Sequence, residues 1–124
     1  MVSMPSNATT LRVFAPLLVL TGVLGFLLPP GAALMSSATP YNLFHIAFGI
    51  LGAAIAWGGG ERASRGFNLA FGAFDLYQIA AHSLSWFPVA LFRWTLADDI
   101  SHLVVGLALI AVGVWGKQVR KPEE

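Results

Sequence analysis

The chain has no cysteine in its 124 residues, so disulfides, thiolate nucleophiles and thiolate-held metals are excluded, while the redox compartment stays open. Charge is nearly as scarce. Asp, Glu, Lys and Arg make up 10% of residues, against roughly 25% in a water-soluble domain. That is too few to cover a surface facing water. The net charge of +1 provides no basic field for nucleic acid, so no nucleic-acid partner is expected. Several chemical signatures are missing as well: no glycine-rich phosphate loop follows a strand, no Cys/His cluster is present, and no serine sits in a nucleophile-elbow motif. The gaps between apolar runs are too short to hold a soluble catalytic site, so no enzymatic activity is predicted.

What is present is apolar. Hydrophobic residues reach 56%, and mean hydropathy is +0.72. Four runs stand out: 13–28, 41–57, 67–87 and 98–115, the apolar part of the last starting at Ile100. Crossing the hydrocarbon takes about 20 apolar residues, with a range of roughly 17–25. None of the runs alternates strictly, so they read as helices rather than barrel strands. The expected fold is all-α: a four-transmembrane-helix bundle over residues 13–116, between short tails at 1–12 and 117–124. Thr39-Pro40 reads as an N-cap followed by proline at the first helical position, and Pro16 as a first-turn proline. Asp98 and Asp99 suit the positive end of the fourth helix.

Four spans put the N-terminus, the 58–66 loop and the C-terminus on one side. That side holds Arg12, Arg62, Arg65, Lys117, Arg120 and Lys121, and the other only Arg93. The positive-inside rule then gives both termini inside, with the lipid bilayer as the first partner. Trp57 and Trp115 mark the inner interface and Trp86 and Trp94 the outer one. Phe92, Trp94 and Leu96 are expected to rest in the outer headgroup zone. A competing reading takes the first run as a secretory signal cleaved near Ser36-Ser37-Ala38.

The second and fourth runs share a pattern. Asn42…His45…Gly49 and Asp99…His102…Gly106 both read Asn/Asp-x-x-His-x-x-x-Gly, 57 residues apart. These positions share one helical face. Two αα-hairpins related by a pseudo-two-fold along the membrane normal explain the match. This pattern, with Gly52, an aromatic-rich third run and Asp98-Asp99, resembles a family of small bacterial four-helix integral membrane proteins known only as a domain of unknown function. The resemblance covers residues 41–116. It implies a fold and a bacterial inner-membrane location, and it carries no activity. Asp75 and His82 do not match the family pattern.

The sharpest chemical signal is Asp75, about 12 Å from the inner end of the third run at 1.5 Å per residue. A charge near mid-membrane costs at least ~2.5 kcal/mol, so this side chain must face the bundle interior. Asn68, Asp75 and His82 recur every seven residues with Gln78 between them, forming a polar stripe that suits an ion or proton relay, or a ligand groove. The bland alternative is hydrogen bonding that fixes helix register. His45, His82 and His102 all lie about 5–8 Å from the outer ends of their runs. If they meet, three imidazoles suit a metal and two suit a haem, with Asn42 and Asp99 orienting the rings. No cofactor is otherwise predicted. Gly49, Gly52, Gly106 and Gly113 read as sites of close helix approach, as does Gly66-x-x-x-Ala70. Three function classes fit: a structural or accessory protein, as a homo-oligomer or in a larger membrane complex; proton, ion or small-solute handling around Asp75; and metal or haem binding. General frequency favours the first.

Overall fold

A computed structural model describes residues 3–29 and 31–117; Arg120 and Lys121 of the inner basic set, and Pro30, lie outside the described residues. The described chain is all helical: α1 (Asn7–Leu27), α2 (Thr39–Gly58), α3 (Gly60–Leu84), α4 (Val89–Phe92) and α5 (Leu96–Trp115). Three of these, α1, α2 and α5, are long and apolar enough to cross a membrane. At 25 residues α3 is longer still, but it carries Glu61, Arg62, Arg65, Asp75 and several polar side chains and is not among the three.

The helices begin earlier than their apolar runs, and polar caps hold the added turns of α1 and α5. Ser6 caps α1, its hydroxyl accepting from Thr9 N, and Glu61 reaches across from α3 to accept from Asn7 N at 2.7 Å and Ala8 N at 2.9 Å. Pro16 therefore lies inside α1 rather than in its first turn. Thr39 is the first helical residue of α2 and not its cap; Ala38 holds that place without a side-chain bond. Thr95 and Asp98 form a reciprocal capping box at the start of α5.

Packing is pairwise. The tightest pairs are α1 with α2 and α3 with α5, and α3 touches every other helix. Gly49 lets α2 approach α1: a Cβ there would lie 2.9 Å from Ala15 O. Gly106 does the same for α5 against α3, where a Cβ would lie 3.0 Å from Gly72 O. Gly52 faces Ala15 and Phe67, and Gly113 faces Leu69, so all four expected glycines stand at close approaches. Gly66 meets nothing, and its expected packing role is not found. Five of the six buried positions of α2 (Tyr41, His45, Gly49, Gly52, Ala56) and five of the six of α5 (Asp98, His102, Gly106, Leu109, Gly113) differ by one constant offset, the 57 residues that separate Tyr41 from Asp98; Asn42 and Val112 stand outside it.

The start of α1, the α2–α3 junction and the end of α5 lie together. Arg12 Nε donates to Ala56 O, Arg65 Nε donates to Gly113 O, and Lys117 N donates to Pro5 O. The exterior is apolar and the interior holds polar groups. Val13, Ile50 and Val104 are 60–62% exposed, while Asn42, Asn68, Asp75, Gln78 and Asp98 are at most 2% exposed. Such an inversion fits a hydrocarbon solvent, which rewards outward aliphatic side chains and forces polar groups to seek one another. One apolar core joins Leu11, Ala15, Leu18, Ala56, Phe67, Phe71 and Leu109. A second, at the opposite end from the termini, joins Tyr41, Ala81, Phe92 and Trp94. Phe92 and Trp94 are therefore buried at this end, the one expected to face outward and here called outer, and are not spread in a headgroup zone; of the three, only Leu96 is exposed.

Candidate functional site

Because α3 starts at Gly60, Asp75 stands fifteen residues into it and nine before Leu84, about 14 Å from the outer end at 1.5 Å per residue. His45 and His102 are each six residues into their helices from the same end, about 9 Å. The three side chains share one crevice of about 230 Å³, which they line together with Ser101, Thr21, Met35 and the apolar Phe14, Leu17, Leu18, Phe71 and Val105. A second cavity of about 450 Å³ adjoins it on the outer side, beneath the 32–36 loop, and shares Thr21, Met35 and Ser101 with it. The two cavities together run from the outer end down to Asp75.

Hydrogen bonding marks the crevice as unfinished. Asp75 Oδ2 and His102 Nδ1 are buried without a protein partner. His45 is held from behind, its Nδ1 lying 2.8 Å from Tyr41 O. A buried polar atom without a partner costs roughly 1–3 kcal/mol, so such atoms beside a cavity are where a ligand or water would be satisfied.

The outer end of the site is pinned by Asp98, which is fully buried. Its carboxyl accepts from Ser36 N at 2.9 Å, from Thr95 N at 2.8 Å, from Thr95 Oγ1, and from the Tyr41 hydroxyl. Ser36 Oγ donates to Phe92 O. One side chain thus ties the α1–α2 loop, the start of α2 and the start of α5.

The structure divides the expected polar stripe of α3. Asn68 serves the inner end, where Nδ2 donates to Asn7 O at 3.2 Å and to Asn7 Oδ1 at 3.1 Å. Gln78 is buried with Oε1 unpartnered, but it does not line the crevice. His82 stands two residues before Leu84 and pairs its Nδ1 with Asp99 Oδ2 at 2.7 Å. Between Asn68 and the crevice the interior is filled by Leu11, Ala15, Phe67 and Phe71, so the stripe is not a continuous polar path.

The three histidines are not gathered at one place. His82 is absent from the crevice shared by His45 and His102, and among the described residues no group of three or more His, Asp or Glu is placed to hold a metal ion. Nor do Asn42 and Asp99 orient the histidines that follow them: Asn42 Nδ2 donates to Ser37 O, and Asp99 turns to His82. On a helix, residues three apart share a face, but each of these polar side chains finds a nearer partner outside its helix's histidine. Sequence reasoning missed Tyr41, Ser36 and Thr95, ordinary residues near helix starts, and Ser101, whose only signal is its place beside His102.

No protein-family model matches the chain, and no curated protein or solved structure is significantly similar to it.

Proposed function

We propose that this protein is a four-span inner-membrane protein that takes a small hydrogen-bonding solute from the outer side into the crevice bounded by Asp75, His45, His102 and Ser101. In this reading α3 is the fourth span, its polar face covered by α1 and α5. The termini are inside, because Arg12, Arg62, Arg65 and Lys117 gather at their end. The two hairpins α1–α2 and α3–α5 are diverged repeats, and the chain joins the small four-helix family that residues 41–116 resemble.

The observation that carries the reading is Asp75 itself: 2% exposed, one carboxyl oxygen without a partner, and facing a cavity that continues outward. A carboxyl used only to fix register would be expected to share its hydrogen bonds with a neighbouring helix, as Asp98 does. The apolar fill below Asp75 favours a one-sided binding site over a transmembrane proton relay. The accessory role and homo-oligomer assembly rest on no comparable observation.

The test uses n-butylamine, a small hydrogen-bond donor, with the protein in lipid nanodiscs and ligand-observed saturation-transfer NMR. The parent is expected to give a saturable signal, and Asp75→Asn to weaken it at least tenfold with an unchanged unfolding temperature. Equal binding by a folded Asp75→Leu variant would overturn the proposal.

A further inference from the structure

The two seams between the hairpins are built from matching positions and differ in what fills them. Along the α2–α3 seam stand Phe44, Phe48, Phe71 and Phe74, around a groove whose lining holds no polar side chain. The rings pack on one another, with Phe44–Phe48 centroids 4.4 Å apart and Phe44–Phe74 centroids 5.4 Å apart. The positions 57 residues away line the other seam, between α1 and α5: Ser101, Val105, Phe14 and Leu17. Three of the four aromatics are thus replaced by smaller side chains. Among the touching pairs of the four long helices, α1–α5 is also the loosest. The loose seam is the one that opens on Asp75, while the aromatic groove does not reach it.

Leu17 stands at this seam 52% exposed, on the surface given to lipid. The crevice behind it, at about 230 Å³, matches roughly seven waters' share of liquid volume, enough for a small head group and too small for a whole lipid. Its ionisable side chains, Asp75, His45 and His102, are buried, and its seam-side wall is apolar apart from Ser101.

Resting on the binding reading above, we infer that the α1–α5 seam is a lateral portal, and that the ligand is a single-chain amphiphile from the bilayer. Its small head donates hydrogen bonds to Asp75, and its alkyl chain lies between Leu17 and Val105. An amine or hydroxyl head suits this site. A carboxylate head does not, because it would meet the Asp75 carboxyl with acceptors facing acceptors.

The experiment is displacement of n-butylamine by n-decylamine in nanodiscs, with decanoate at the same bilayer mole fraction as the control. Decylamine is expected to displace butylamine from the parent and decanoate to leave it bound. Leu17→Phe/Val105→Phe, which copies Phe74 and Phe48 into the open seam, is expected to weaken decylamine at least tenfold more than butylamine, since the short probe enters from water through the outer cavity and needs no seam. The unfolding temperature of this variant should be unchanged. Displacement from the double variant as strong as from the parent, or no displacement from a parent that binds butylamine, would overturn the portal while leaving the binding site standing. A parent that binds no butylamine would overturn both.

Discussion

Removing the Asp98 carboxyl should loosen the whole outer end of the molecule, and the size of the loss follows from its partners. Asp98→Ala abolishes two long-range bonds, from Ser36 N and the Tyr41 hydroxyl, and the capping box with Thr95. Bonds between membrane helices average about 0.6 kcal/mol and reach about 1.7. Burial of Asp98 puts its two long-range bonds toward the upper figure, and loss of its half of the capping box, which leaves Thr95 as the N-cap, adds up to about 1 kcal/mol. The sum is about 3–4 kcal/mol. Tyr41→Phe keeps the ring against Phe92 and loses one bond, so it should cost about 1 kcal/mol. The assay is equilibrium unfolding in mixed micelles by graded SDS, followed by circular dichroism, for both single variants and the double. The two changes should couple by about 1 kcal/mol, because each removes the same bond. An Asp98→Ala variant within 1 kcal/mol of the parent, or strictly additive variants, would refute the reasoning.

Two further outcomes follow from the same contacts. Gly106→Ala should destabilise by at least about 1 kcal/mol, because its Cβ would lie 3.0 Å from Gly72 O, whereas Gly66→Ala, in open space, should stabilise by about 0.5–1 kcal/mol through helix propensity; the same SDS titration reads both. Glu61→Ala should cost about 1–2 kcal/mol and raise hydrogen exchange at Asn7 and Ala8, whose amides it accepts; unchanged exchange there would contradict that cap.

The parts of this arrangement that were legible in the sequence are those governed by periodicity and solvent. The apolar runs, the four close-approach glycines and the burial of Asn68, Asp75 and Gln78 follow from helical spacing and from the cost of polar groups in hydrocarbon. Helix ends were less legible, because polar first turns such as Asn7–Leu11 and Gly60–Ser64 extend helices beyond their apolar stretches. That error moved Asp75 inward, and taking the third run to Phe87 when α3 stops at Leu84 moved His82 to the histidine level, which is why a three-histidine site looked plausible while His82 in fact pairs with Asp99. The Asp98 network was not legible. Its partners Ser36, Tyr41 and Thr95 come from separate segments, and only the chain's path brings them together.

The central claim is that a water-accessible cavity leads from the outer end along α5 to Asp75. The absence of cysteine makes single-cysteine labelling clean. Ser101→Cys stands where the two cavities join, and Phe44→Cys is its counterpart 57 residues earlier in the aromatic seam. Added outside intact cells, a small charged methanethiosulfonate should modify Ser101→Cys at least tenfold faster than Phe44→Cys. Equal rates, or reaction at Ser101→Cys only from the inner side, would contradict the account.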